Sequence, residues 1–273
     1  MRTIWKGAVN FGLVNIPVKM LTATSKNNIK FRYLHEKCNT PVKTTRYCPS
    51  CEKEVTFDEI VKGYEYADQQ FVVLKEEDFA NIPVKTTKTI DIIDFVKLEE
   101  IDPVYYIKSY YLNPGEGGEK PYFLLRNSLQ ETNKVAVTRI SIRSKESLAL
   151  IRVMDEVLVL ETMYYADEVK PVEGLGVKKM GKQIEINERE KELAVEIINN
   201  LTDQFKPEKY ENRYRQHLRE IIDKKIAGED IKIPEIKEGD AKVLDLMEKL
   251  KKSVESIEQE EKPARKKSDK RTG

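Results

Sequence analysis

The spacing of the apolar residues changes once along this 273-residue chain, and that change divides it into a strand-rich part and a helical part. Up to about residue 165, short segments rich in β-branched and aromatic residues follow one another with few helical patterns between them. The predicted strands are residues 14–20, 71–74, 90–96, 104–112, 122–125, 135–143 and 157–165, with short helices near 56–62 and 75–81. Many strands with few helices predict a sandwich or a barrel.

After residue 187 the apolar residues recur at helical spacing. Asn187 can cap a helix whose third position is Glu190. The apolar positions of this helix are Leu193, Ile197, Leu201 and Phe205. A second amphipathic helix is predicted between Pro207 and Gly228. Its apolar positions are Tyr210, Tyr214, Leu218, Ile221 and Ile222. The two helices predict an arm over residues 187–228.

The C-terminal region predicts a separate short element. Residues 229–239 are polar and contain Pro and Gly, which is typical of a linker, and Asp240 can cap a third helix. Its apolar stripe consists of Val243, Met247, Leu250, Val254 and Ile257. Because so short a helix is marginal alone in water, the stripe must be covered by this protein or by another. The tail that follows lacks large apolar residues and is predicted to be disordered.

The charge is distributed unevenly, although 48 basic and 47 acidic residues nearly cancel. Residues 1–53 carry +8 (ten Lys/Arg, two Glu), residues 262–273 carry +5 (six Lys/Arg, one Asp), and the remainder therefore carries −12. Two basic ends indicate a nucleic-acid partner, while solvated charged faces are the alternative. The apolar runs are strand-sized and the three cysteines make no disulfide framework, so a cytoplasmic protein is expected.

All three cysteines fall in the pattern His35-x2-Cys38-x9-Cys48-x2-Cys51. Two pairs of soft ligands, each on a tight turn, predict a structural zinc site. Glu52 stands where such turns often carry Gly. Free thiols beside an exposed His35, or a redox-active CxxC pair, are the alternatives.

Catalytic patterns are weak. Only His35 and His217 are available for acid–base chemistry, so a nucleophile–His–carboxylate triad has little material. The segment from Gly176 to Lys182 matches part of a phosphate-binding loop, but Gln183 replaces the hydroxyl residue that would meet Mg²⁺. An acidic group could form a two-metal nuclease site, or equally a solvated strand face. It consists of Asp91, Asp94, Glu99, Glu100 and Asp102.

Several segments resemble one known family. Residues 4–19, IWKGAVNFGLVNIPVK, are similar to the N-terminal signature of bacterial Ku, the DNA-end-binding protein of non-homologous end joining. Gly63-Tyr64-Glu65, residues 122–126 and Tyr210-x3-Tyr214 resemble further segments of that family, and the likeness covers about residues 1–258. It implies a mainly β protein with added helices, in which a β-barrel core and a bridging strap occupy residues 1–186. A zinc-ribbon-like insert would occupy about 29–70, and a ligase-docking helix (240–258) and a disordered basic tail (259–273) would follow the arm and linker.

The resemblance also implies a function without catalysis. The family joins two copies into a homodimeric ring around duplex DNA, binds double-stranded ends independently of sequence, and recruits the multifunctional end-joining DNA ligase, here through the stripe at 243–257. A cytoplasmic, nucleoid-associated protein is expected. The implied phosphate contacts are Lys30, Arg32, Lys37, Lys43, Arg46 and Lys53 on the strap and Arg139 and Arg143 on the inner wall. A zinc-ribbon transcription regulator and an end-processing nuclease are the rival classes.

Overall fold

The computed structural model describes residues 2–80, 88–142 and 145–229, together with positions 250 and 253. The chain divides after Lys170 into two compact units. The strands are β1 Thr3–Phe11, β2 Val14–Thr22, β3 Arg46–Cys48, β4 Lys53–Val55, β5 Lys62–Ala67, β6 Gln70–Leu74, β7 Thr89–Val96, β8 Tyr106–Pro114, β9 Val135–Ile142, β10 Lys145–Met154 and β11 Val157–Met163. The helices are α1 Glu76–Ala80, α2 Glu119–Thr132, α3 Val177–Gly181, α4 Glu188–Leu201 and α5 Arg213–Ile226.

Seven strands of the first unit close into a barrel in the order β1-β2-β8-β11-β10-β9-β7. Neighbouring strands are antiparallel except at the closing seam, where β1 and β7 run parallel. At this seam Ala8, Val9 and Asn10 pair with Thr89, Ile90 and Asp91. The mainly β architecture with added helices agrees with the sequence prediction.

The barrel interior is filled by alternate residues of the strands, as the two-residue period of a strand requires. The largest buried side chains on β1, β2, β7, β8, β9, β10 and β11 include Val9, Ile16, Met20, Ile90, Leu112, Ile140, Ile151, Leu158 and Leu160. Helix α2 adds Tyr122, Leu125 and Leu129 to this core. On β9, Arg139 is exposed between buried Thr138 and Ile140, so the predicted alternation is confirmed there.

A second, smaller cluster lies apart from the main core. Val135, Leu150 and Met163 form it, and residues of the connection between β7 and β8 pack against them, among them Ile101 and Tyr105. Glu161 is also buried, and its carboxylate accepts hydrogen bonds from Arg152 and Ser109. Hydrogen-bond donors on both carboxylate oxygens offset the free-energy cost of burying the charge.

One predicted strand is wrong. Residues 122–125 lie in α2, where Tyr122, Leu125 and Leu129 share the buried face at helical spacing. The exposed Phe123 and Leu124 between them produce an apolar run that imitates a strand. The predicted helix near 56–62 is a single 3₁₀ turn, Phe57–Glu59, and Lys62 already begins β5.

The second unit contains α3, α4 and α5. Helix α4 begins as predicted, because the Asn187 side chain accepts the Arg189 N–H (2.9 Å) and Glu190 accepts the Asn187 N–H (3.0 Å). Helix α5 starts later than predicted, after Asn212, whose side chain accepts the Arg215 N–H at 2.9 Å. Tyr210 precedes this helix and stacks on Phe205, with 5.6 Å between the ring centroids.

Several predictions fall outside the described residues. They concern Arg143, Val243, Met247, Val254, Ile257, residues 230–239 of the linker and the tail 259–273. Leu250 is described as helical and partly buried. Within the described ranges, the helices are all too short or too polar to cross a lipid bilayer.

Candidate nucleic-acid interface

The chain leaves the barrel after β2 and re-enters it at β7, and the described part of this excursion, residues 23–80, is here called the strap segment. It contains two separate two-stranded sheets, β3–β4 and β5–β6. In residues 23–79 no side chain is buried. A lone two-stranded sheet is only marginally stable in water, so both small sheets would gain stability from packing against another surface.

The six basic residues predicted on the strap segment are all exposed, but they differ in their neighbours. The Arg46 guanidinium lies over the Phe57 ring, 5.3 Å from its centroid, and the Lys53 ammonium is 3.1 Å from a Glu59 carboxylate oxygen. The other four form no ion pair with any residue described in 2–80, 88–142 or 145–229. They are Lys30, Arg32, Lys37 and Lys43.

Arg139 occupies a different element. It projects from the outside of the barrel on β9, directly across from Asp91 on β7, whose carboxylate accepts a hydrogen bond from the Asn10 amide. The structure thus gathers Arg46 and Lys53 on one small sheet and leaves Arg139 on the barrel.

The first predicted ligand pair lies on a tight turn. Leu34 bridges Pro41, and the His35 N–H donates to the Thr40 carbonyl at 2.9 Å, which brings the chain back on itself. Within this turn His35 Nδ1 lies 3.2 Å from Cys38 Sγ. Asn39, the residue after Cys38, has a φ of 53°. Asn39 therefore adopts the left-handed conformation, which Asn tolerates better than most residues, and this conformation completes the turn.

The second pair repeats this plan. Cys48 ends β3, Cys51 lies in the turn before β4, and Glu52, directly after Cys51, has a φ of 49°. The turn therefore requires the left-handed conformation for which Gly is usual, and Glu52 adopts it at a steric cost. In both turns, the second ligand residue is thus followed by a residue with positive φ, namely Asn39 after Cys38 and Glu52 after Cys51.

The surroundings of the thiols favour thiolate formation at two of the three cysteines. The backbone N–H of Cys51, followed by its thiol, lowers the pKa of Cys48, while the same contact with Cys48 raises the pKa of Cys51. The Thr40 hydroxyl and then its N–H lower the pKa of Cys38. Thiolates are the form that binds zinc, so these pKa shifts favour metal binding at Cys38 and Cys48 and oppose it at Cys51.

The two pairs are nevertheless not joined into one site. Among the described residues, three or more His, Cys, Asp or Glu side chains are nowhere grouped closely enough to hold a metal ion. The structure therefore forms two half-sites, His35 with Cys38 and Cys48 with Cys51. The four-ligand zinc site stays a prediction.

The residues weighed for catalysis have local structural roles. Asp102 caps the 3₁₀ turn Pro103–Tyr105 by accepting the Val104 N–H at 2.8 Å, and Glu100 accepts the Lys97 N–H at 2.9 Å. His217 is exposed on α5, 3.5 Å from Glu220. Gly176 (φ 69°) joins a 3₁₀ turn to α3, and in the described segment 171–187 no strand precedes or follows that helix.

One group of exposed residues was missed by the sequence prediction. Aromatic rings stand among the cations at the start of the strap segment, in the order Lys30-Phe31-Arg32-Tyr33. Phe31 and Tyr33 expose 69% and 88% of their surface. The alternation of cation and ring was visible in the sequence, but only the structure shows that both rings lie outside any core.

The chain is similar to known proteins over most of its length. The sequence model of the family described as "Ku70/Ku80 beta-barrel domain" matches residues 10–194, which is more than half of the chain. The chain is 48% identical to the "Non-homologous end joining protein Ku" of Symbiobacterium thermophilum, over 94% of this chain and 64% of that protein. It is 40% identical to proteins with that name from Heliobacterium modesticaldum (96% of this chain, 94% of the relative) and Bacillus subtilis (93% and 82%).

The matched residues contain barrel strands β2 and β7 to β11, the end of β1, α2 and the whole strap segment. The resemblance of residues 4–19 pointed to the same group of proteins. The chain therefore belongs to the Ku family.

Proposed function

We propose that this protein binds the ends of double-stranded DNA, without regard to sequence, in double-strand break repair by non-homologous end joining. The relatives' printed names support the repair process. The observation that carries the proposal is the strap segment itself, which leaves a closed barrel, returns to it, and exposes four cations without ion-pair partners in the described chain. Family membership favours this function over a zinc-ribbon transcription regulator.

The strap segment also supports a homodimer. Its two small sheets expose apolar side chains that neither sheet can cover, and each is more than half exposed. These are Tyr47, Tyr64, Tyr66, Phe71 and Val73. The second unit has the same character, with Ile198, Leu201, Phe205, Tyr214 and Ile226 more than 60% exposed. Apolar surface of this extent on both units is typical of chains that bury it against another copy.

A ring formed by two such straps would recognise ends by topology. Lys and Arg side chains that face the duplex contact phosphates, which carry no sequence information, so affinity depends on charge and salt. A closed ring can be threaded only from a free end, so intact circular DNA is excluded without any base being read. Binding and exclusion need no chemical step, and the proposed role is that of a non-catalytic scaffold.

Zinc and the end-joining ligase are further parts of the proposal. Zinc held by His35, Cys38, Cys48 and Cys51 would join the two half-sites and stiffen the strap segment, as structural zinc does in small domains that lack a core. The ligase would be recruited by the apolar stripe at 243–257, in the manner of an amphipathic helix that lies in a groove. Truncation after residue 239 should then abolish ligase stimulation while end binding persists. Unchanged stimulation would contradict this role for the stripe.

The decisive experiment compares one DNA sequence in two forms. A small covalently closed circle and the same circle cut once are titrated with the protein at fixed salt. The cut form should bind far more tightly, and cuts at different positions should be equivalent, because the end and not the sequence is recognised. Equal affinity for the two forms would overturn the proposal.

A further inference from the structure

We propose that Phe31 and Tyr33 form a stacking site for unpaired bases at a DNA end. This inference rests on the proposed function, because it assigns a second contact to a protein already positioned at the end. It names a ligand chemistry, the single-stranded nucleobase, that duplex phosphate contacts alone do not recognise.

Both rings are exposed to solvent. Phe31 and Tyr33 are 69% and 88% exposed, and residues 24–33 belong to no helix or strand. The backbone at Tyr33 is nevertheless fixed, because its carbonyl accepts the Val42 N–H at 3.0 Å beside the turn that holds His35 and Cys38. Tyr33 is thus an exposed ring on an anchored backbone, which keeps the entropy lost on binding small.

Among the described residues, the faces of these two rings are free, unlike those of Phe57 and Phe79 in the same segment. Phe57 already has the Arg46 guanidinium over its face, and Phe79 has the Lys62 ammonium 4.6 Å from its centroid. Within the described chain, neither Phe31 nor Tyr33 has a ring or cation placed over its face. Their faces are open to a planar ligand.

The two rings alternate with two basic residues in the sequence. Lys30 precedes Phe31 and Arg32 lies between Phe31 and Tyr33, so each ring has a cation on an adjacent residue. Two residues apart, the Cα atoms of Phe31 and Tyr33 are at most about 7 Å from each other. Aromatic rings interleaved with cations are the arrangement by which proteins bind single strands, with bases on the rings and phosphates on the cations.

Unpaired bases are the ligands that suit these rings best. Bases within a duplex already stack on their neighbours, so only unpaired nucleotides at an overhang or a frayed end offer free faces. The same segment of a second copy would be a poor cover for these rings, because residues 1–53 of each copy carry a charge of +8. Symmetric contact through this site would bring two basic segments together.

The experiment uses three duplexes of one length: blunt, with a short thymidine tail, and with a tail of abasic nucleotides. The abasic tail keeps the phosphates and removes the bases. The natural tail should bind about fivefold or more tightly than the abasic tail, since stacking of each base contributes at least that factor. Phe31→Leu with Tyr33→Leu, which keeps apolar side chains but removes the rings, should abolish this ratio and leave blunt-end affinity within about twofold.

A matched control separates stacking from charge. Lys37→Ala with Lys43→Ala should weaken binding to all three duplexes and preserve the ratio between natural and abasic tails. The single variant Tyr33→Leu serves if the double variant fails to fold. Equal binding of both tails by the unaltered protein, or dissociation of the double Leu variant to monomers in sedimentation, would overturn the stacking site. Failure to prefer the cut form of the circle would instead overturn the proposed function.

Discussion

The hydroxyl of Tyr122 on α2 accepts a hydrogen bond from the backbone N–H of Leu158 on β11, at 2.8 Å. The same hydroxyl donates to the carbonyl of Leu112 on β8 at 2.7 Å. Leu112 and Leu158 are register partners, so the phenol is inserted into the ladder between the two strands. Burial raises the pKa of this tyrosine and keeps the hydroxyl in the protonated form that can donate.

Tyr122→Phe should therefore lower the free energy of unfolding by about 1–3 kcal/mol, because it leaves a buried N–H and a buried carbonyl without their partner. Urea unfolding measures the loss. The control is Tyr164→Phe at a 39% exposed position, where a change within about 0.5 kcal/mol is expected. Equal effects of the two substitutions would show that the inserted hydroxyl contributes nothing.

Removing the Thr138 hydroxyl should have the opposite effect and stabilise the protein. This hydroxyl is fully buried in the barrel and finds no hydrogen-bond partner among the described residues. Thr138→Val keeps the shape and removes the unpaired group, so it should stabilise the barrel by about 1 kcal/mol. Thr162→Val is the matched control and should destabilise, because the Thr162 hydroxyl donates to the Lys108 carbonyl at 3.2 Å. A lower melting temperature for Thr138→Val would refute this account.

Glu52 carries a testable steric cost. Because its φ is 49°, Glu52→Gly should relieve about 1 kcal/mol of backbone strain and make the β3–β4 turn more stable. Amide hydrogen exchange of this sheet should slow. Glu54→Gly, in the extended strand β4, should have the reverse effect because Gly only adds freedom there. Faster exchange in both variants would contradict the strain at Glu52.

The four cations without ion pairs should dominate the salt dependence of DNA binding. Lys37→Ala with Lys43→Ala removes two lysines from each copy of the proposed homodimer, so it should reduce the slope of log K against log salt by up to about 4, since each phosphate contact contributes about 0.9. Arg46→Ala with Lys53→Ala should reduce it less, because these side chains already interact with Phe57 and Glu59. The measurement is a binding titration over a range of salt, and equal slopes for the two double variants would argue against this ranking.

The zinc proposal predicts one zinc ion per chain in protein purified without a chelator. Cys48→Ser should remove most of the metal and weaken end binding, while thermal unfolding of the barrel changes little because the ligands lie outside it. Elemental analysis and a melting curve provide the two readouts. Metal-free protein with full end-binding activity would reject the site.

Prediction from sequence succeeded where local chemistry alone decides the structure. The cap formed by Asn187 and Glu190 is such a case, and so is the alternation of Arg139 and Ile140 on β9. It failed for residues 122–125, because the helical spacing is evident only when Leu129 is known to share a buried face with Tyr122. The strap segment could not be predicted in detail, since its turns depend on positive φ at Asn39 and Glu52 and on no apolar period.

The parallel seam between β1 and β7 has a mechanical consequence. A force that pulls the strap segment away from the barrel enters the fold at Lys88, whose carbonyl accepts the Ala8 N–H at 3.0 Å. Only three register pairs, from Ala8–Thr89 to Asn10–Asp91, join β7 to β1, whereas six pairs join β7 to β9, and β1 and β2 are paired along almost their full length. Under tension the barrel should therefore open at this seam first, so the strand that returns from the strap would act as a weak link that protects the remaining strands from rupture.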